Sequence, residues 1–232
     1  GAPSVEILAP DIYFGDDEAI MCRFTQEDAP LFIPETELGH IGAGRAFLSI
    51  GRFGGLGIAP FGIDCAGHDE ADALRWAYER IRAVTPEILE ARSRDAVTGF
   101  VVDGRLNSPW FHKGVRYEVW GTPSSLEEPV ASAYGLLLLL PGGEILAVGC
   151  GFTVRAFGES SGRAYYVRDV YEDEIVEGER RPLRRLNGDE TGAGFGLTLP
   201  LLQSPPTTSP ISVDSRSTGV RRGRFVDPGA KS

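Results

Sequence analysis

Three short stretches place acidic and phenolic side chains where an α/β protein gathers its chemistry. They are Asp11-Ile12-Tyr13, Pro34-Glu35-Thr36-Glu37 and Phe61-Gly62-Ile63-Asp64, each at the end of a short apolar run. If those runs are parallel strands, the three stretches are C-terminal strand ends, where the connecting loops enclose a site. Two carboxylates and a phenol from neighbouring strands then converge on one pocket. Carboxylates held there suit nucleophilic attack or general acid/base work. Glu35 is the best placed, because it directly follows a strongly apolar run. An acidic residue at a strand end can instead cap the helix that follows, and spacing alone leaves that role open.

No other motif competes. The chain has no GxGxxG and no Walker A, and the glycines of residues 51–57 lack the lysine of a phosphate loop. A serine hydrolase is disfavoured for want of a nucleophile elbow. Cys22, Cys65 and Cys150 are odd in number and form no CxxC, and His40, His68 and His112 have no HExxH-type spacing. Neither a disulfide framework nor a metal site is expected, the cysteines read as buried thiols, and no cofactor is called for. Asn187-Gly188-Asp189-Glu190 is turn chemistry. Trp110, Tyr117 and Trp120 have two readings, an aromatic platform for a sugar or the filling of a β-sandwich core.

The elements that must position these residues fall into two styles. In the first ninety or so residues, β-rich runs at 5–14, 30–36 and 56–63 alternate with helical stretches at 18–24, 43–50 and 68–92. Strand–helix alternation means parallel strands with crossover helices, and runs apolar nearly throughout predict a sheet covered on both faces. Leu74, Ala77, Tyr78, Ile81 and Val84 share one helical face, and Pro86 breaks that helix or starts a second. Beyond residue 95, short β runs follow one another without a helix: 99–103, 115–120, 133–140, 144–149, 152–157, 164–169, 172–177 and 196–201. This predicts an antiparallel β-sandwich, with a hairpin across Pro141-Gly142-Gly143.

Composition sets the outer bounds. The 232 residues are 42% hydrophobic and 24% charged, a globular balance that allows one to two domains. The net charge of −10 argues against nucleic acid as a partner. The longest apolar run, residues 136–140, is cut by Pro141. It is far short of the roughly 20 residues a spanning helix needs, and reads as a buried strand. Residues 204–232 are rich in Ser, Pro and Thr and carry five basic side chains against two acidic ones. They are predicted to form a flexible tail. The chain opens at Gly1 and its one methionine is Met21, as expected of a processed chain or a fragment.

Taken in order, LAPDIYF (8–14), PLFIPET (30–36), GRAFLSIG (44–51) and PFGID (60–64) form a pattern. It resembles the last three strands of the catalytic barrel in β-galactosidase-like enzymes of glycoside hydrolase family 35. EGERRPLRRLNGDET (177–191) resembles a signature in the β-domain that follows the barrel in a bacterial subgroup. The resemblance implies an α/β plus all-β chain: about strands six to eight of a (β/α)8 barrel, then an antiparallel β-sandwich. The expected divisions are residues 1–95 for the barrel portion, 96–203 for the sandwich and 204–232 for the tail. It also implies a retaining mechanism with two glutamates. Glu35 matches the nucleophile at the seventh strand end, and Tyr13 the tyrosine that hydrogen-bonds it. Asp11, Phe61 and Asp64 fall in the expected galactoside subsite, with Thr36 where alanine is more usual.

In that family the acid/base glutamate follows an asparagine at the end of the fourth strand, which would lie ahead of Gly1. The chain alone is therefore expected to carry the nucleophile without its partner and to turn over little or nothing. Three parallel strands also leave an open sheet edge, through which copies could assemble into a homo-oligomer. The alternative function is a non-catalytic carbohydrate-binding or structural β-sandwich with a barrel remnant. In that reading Trp110 or Trp120 serves as the platform.

Overall fold

The computed structural model describes residues 7–25, 29–102, 107–121, 133–188, 190–191, 194–201 and 218–229. Among them are four α-helices and thirteen strands in three sheets. β1 (Asp11–Ile12), β2 (Phe32–Thr36) and β3 (Gly57–Pro60) form a parallel sheet in chain order. α1 (Asp17–Phe24) follows β1, capped by Asp16, whose side chain accepts from the Ala19 amide at 3.0 Å. α2 (Gly39–Phe53) follows β2. The strand–helix alternation is as read from sequence, but among the described residues 7–14 of the first run only two are strand.

Burial in this sheet is one-sided. Ile12, Leu31 and Ile33 pack with Met21 of α1 and Leu48 of α2 into a small core. Asp11, Pro34 and Ala59 are exposed. The expectation of two covered faces is thus met on one face only. What decides burial is the alternation along the strand rather than its apolar content.

α2 is the hinge of the architecture. Ala43, Ala46, Phe47 and Leu48 are each at most 1% exposed, so the helix is apolar and buried nearly all round. Leu48 meets the parallel sheet, while Ala43, Ala46 and Phe47 meet a second core. That core is shared with α3 (His68–Ala83) and α4 (Thr85–Arg92). Pro86 sits in the first turn of α4, where its missing N–H is not needed. Leu74, Ala77, Ile81 and Val84 are buried as the periodicity predicts, and the Tyr78 hydroxyl donates to the Ile58 carbonyl at 3.2 Å.

The remaining strands make the sandwich. One sheet contains β4 (Val97–Val102), β7 (Ala133–Leu139), β8 (Ile145–Cys150), β10 (Tyr166–Val176), β11 (Glu179–Arg185) and β13 (Val220–Val226). Its order is β11-β10-β13-β8-β7-β4, antiparallel throughout. The other contains β5 (Trp110–His112), β6 (Val115–Gly121), β9 (Phe152–Gly158) and β12 (Leu197–Leu199), ordered β12-β9-β6-β5. The leucine run of β7 faces both ways. Leu136 and Leu138 turn toward the helices, and Leu137 toward the four-stranded sheet. A strand covered on both faces is apolar throughout, which is why this run stands out. The β7–β8 hairpin turns at Pro141-Gly142-Gly143, closed by Gly143 N to Leu140 O at 2.9 Å.

Three expectations are corrected. The runs 164–169 and 172–177 are one strand, β10, bent where its register slips between Arg168 and Tyr171 and Asp169 takes φ 54°. Residues 204–232 are not a flexible tail throughout: Val220–Val226 is an inner strand between β10 and β8, while 202–217 and 230–232 lie outside the described residues. β11, a stretch not among the predicted β runs, is the edge strand of this sheet, where Pro182 is tolerated. The physical reason is charge pairing. On β10, Glu172 meets Arg184 of β11 and Arg221 of β13, and Asp173 meets Arg180 and Arg222. The arginines of these two flanking strands thus pair with two buried carboxylates on β10. The expected division at residue 95 runs through a shared core, since α2, α3 and α4 pack with Leu136, Val148 and Val220.

Candidate functional site

The C-terminal ends of β1 and β2 bring Tyr13 and Glu35 into direct contact. Their ladder pairs Asp11 with Glu35 and Ile12 with Thr36. The Tyr13 hydroxyl, one residue further on, donates to Glu35 Oε1 at 2.7 Å. Loss of water around the phenol pushes Tyr13 up to about 12, helped by its bond to Glu35 and by the charges of Glu35 and Asp11. Tyr13 therefore stays protonated and donates, leaving Glu35 as the acceptor.

The other expected residues are placed less centrally. Asp11 lies beside Glu35 in the ladder and is exposed. The Phe61 amide donates to the Thr36 carbonyl at 2.8 Å, so Phe61 stands at the same end of the sheet, 66% exposed. Asp64 lies in a 3₁₀ turn, Ile63–Cys65, exposed to solvent. None of these acids caps a helix. Asp16 caps α1, α2 begins at Leu38 without a side-chain cap, and α3 begins at Gly67, whose amide donates to Glu70 at 3.3 Å.

A residue that sequence reasoning did not single out completes the site. Arg45, on α2 and 5% exposed, reaches the Ile12 carbonyl at 2.7 Å and the Thr36 hydroxyl at 2.8 Å. Its Nε donates to Asp17 at 2.8 Å, and Nη1 also pairs with Glu37. The available signal was an arginine in the middle of a largely apolar, glycine-rich helix, where Arg52 lies only in the last turn.

The remaining motifs resolve as structure. Trp110 lies opposite Tyr117 in the β5–β6 ladder, with ring centroids 5.3 Å apart against the sandwich core. Trp120, three residues beyond Tyr117, falls on the other face. There its Nε1 donates to Glu118 at 3.1 Å and Arg155 lies over its ring. The three aromatics share no single platform. Asn187 and Glu190 exchange backbone-to-side-chain bonds of 3.0 and 3.1 Å, a closed turn, while Asp189 lies outside the described residues. Gly158-Glu159-Ser160-Ser161-Gly162 spells GxSxG, but it is the turn between β9 and its return, with Gly162 N bonded to Gly158 O. No helix follows it, so it is no nucleophile elbow. Cys22 and Cys65 are exposed rather than buried, and Cys150 is buried against Tyr134. Among the described residues, no three His, Cys, Asp or Glu side chains are grouped to hold a metal ion. Nor is any helix long and apolar enough to cross a membrane.

Fold and site define a mixed protein, a parallel strand–helix layer joined through a common core to an antiparallel sandwich. Residues 74–198, more than half of the chain, match the family described as "Domain of unknown function (DUF5597)", and the chain belongs to that family. The match runs from α3 into β12, so Tyr13, Glu35 and Arg45 precede it. No curated protein matches the chain.

Proposed function

We propose that this chain is part of a retaining glycoside hydrolase acting on terminal β-galactosides, with Glu35 as its nucleophile. The observation that carries the reading is the 2.7 Å hydrogen bond from Tyr13 to Glu35 across adjacent parallel strand ends. It joins the two residues that the motif resemblance assigns to nucleophile and orienting phenol. β1, β2 and β3 are then the last three strands of a (β/α)8 barrel, in keeping with their parallel order. Glu35 attacks the anomeric carbon as the glycosidic bond breaks, and a second carboxylic acid gives its proton to the leaving oxygen. Water, activated by that second carboxylate, then releases the sugar. No residue of this chain is assigned to that second role. Exposed Phe61 offers a flat apolar face for the sugar ring, and Asp11 an acceptor for its hydroxyls.

The test is a covalent trap. A 2-deoxy-2-fluoro-β-galactoside with a dinitrophenolate leaving group needs no acid to form the glycosyl ester, and the fluorine slows its hydrolysis. The expected result is one fluorogalactosyl mass on the peptide carrying Glu35, absent in E35Q. Labelling of another carboxylate, or no labelling of the folded protein, overturns the assignment.

A further inference from the structure

We infer that Arg45 is the positioning residue for the Tyr13–Glu35 pair, an inference that rests on the nucleophile reading of Glu35. β1 contributes only two residues to its ladder, Asp11 and Ile12. So short a ladder is a weak determinant of where Tyr13 points. Arg45 supplies what the ladder lacks. Its Nη1 reaches the carbonyl of Ile12, the residue before Tyr13, and the hydroxyl of Thr36, the residue after Glu35. The Thr36 hydroxyl in turn donates to the Ile12 carbonyl at 2.9 Å. Three polar groups therefore close a triangle across the two strands, one residue away from each member of the pair.

The same guanidinium ties this triangle to both helices. Asp17 opens α1, and Glu37 lies just before Leu38, the N-cap of α2; both pair with Arg45. Because Arg45 is buried, its loss removes the donor shared by Asp17, Glu37 and the Thr36 hydroxyl and leaves the Ile12 carbonyl only the Thr36 hydroxyl. A lysine would bring the charge but not a planar fork that spans several acceptors. Displacing a reacting group by about 1 Å costs on the order of 100-fold in rate, so a device that fixes the strand ends has leverage on chemistry it does not touch.

The experiment compares R45M and R45K with the parent chain by three readouts. They are the cooperative melt, the titration of Tyr13 by NMR of ring-labelled tyrosine with Y13F for assignment, and the rate at which the fluorogalactoside labels Glu35. In folded R45M, Tyr13 is expected to fall from about 12 toward its ordinary 10. Labelling is expected to slow roughly 100-fold, and R45K to recover part of both. A lowered melt with the Tyr13 titration and the labelling rate unchanged would mean that Arg45 only holds the fold, and overturns the inference. If Glu35 is not labelled even in the parent, the nucleophile reading fails, while the Tyr13 titration still decides whether Arg45 positions the phenol. If R45M does not fold, R45K decides by the same readouts.

Discussion

Gly51 sets two effects of opposite sign against each other. It lies in the last turn of α2, where alanine would raise helix stability by about 1 kcal/mol. A Cβ there, however, would lie 2.3 Å from Leu136 Cδ2 and 2.6 Å from both Cα and N of Gly99 on β4. Relaxed carbon contacts are ~3.5–4.0 Å, so the helix and strand must part by about an ångström. Leu136 can turn aside, but the backbone of Gly99 cannot. Gly99 is reciprocally tight, since its own Cβ would meet the Phe47 carbonyl oxygen at 2.1 Å. Overpacking of this kind costs about 3 kcal/mol, the upper end of the usual range, because rigid backbone is the obstacle. The net expectation for G51A is a loss of about 2 kcal/mol, read as a lower urea midpoint at unchanged m-value. G142A, in the β7–β8 turn with nothing within 4 Å of the new methyl, is the control. It should stay within about 0.5 kcal/mol of the parent. If G51A is stabilised, as helix propensity alone would have it, the close approach of α2 to β4 is wrong.

Two further perturbations follow. Asp173 is fully buried and pairs with Arg180 at 2.5 Å and Arg222 at 3.2 Å, so D173A should cost about 3 kcal/mol. The cost stays at the low end because Arg180 keeps Glu87 and Arg222 keeps Glu144. A loss under about 1 kcal/mol in urea denaturation would contradict a buried, interdependent network. His40 is held below its ordinary value by desolvation of its ring, whose Nδ1 lies 2.9 Å from the Tyr134 hydroxyl. Burial raises Tyr134, so the phenol keeps its proton and the neutral imidazole accepts it. That contribution is full above about pH 6.5 and is lost as pH falls through the lower folded value. The urea midpoint of H40Q should therefore drop less than the parent's between pH 7 and 5, and equal drops would refute the linkage.

Local features were legible because their causes are local. Asp16 announces α1, Pro86 divides α3 from α4, and Pro141-Gly142-Gly143 marks the hairpin, each through the chemistry of adjacent residues. The strand ends that carry Tyr13 and Glu35 were legible for the same reason. What stayed hidden depends on distant partners. Arg221 and Arg222 find Glu172 and Asp173 at a separation of 49 residues, and nothing in the tail-like stretch around them signals that pairing. Arg45 was hidden differently: a buried arginine in a glycine-rich helix has no meaning until the carbonyl of Ile12 is brought beneath it. Asp64 shows the converse, since its sequence position matched a strand end while the turn Ile63–Cys65 leaves it exposed.

The place of β13 has a consequence for the order of events during synthesis. β8 and β10 are separated by only one other strand in the chain, yet the strand between them in space, Val220–Val226, is made after the other five strands of its sheet. Until it emerges, the six-stranded sheet exists as two ladders with facing bare edges. Those edges must stay about 10 Å apart, two strand spacings, rather than pair with each other. Long-range insertion of this kind is slow, and unpaired edges recruit other chains while they wait. A ribosome-bound chain that has completed β12 but not β13 is therefore vulnerable, and insertion of β13 both closes this sheet and removes the two bare edges that recruit other chains.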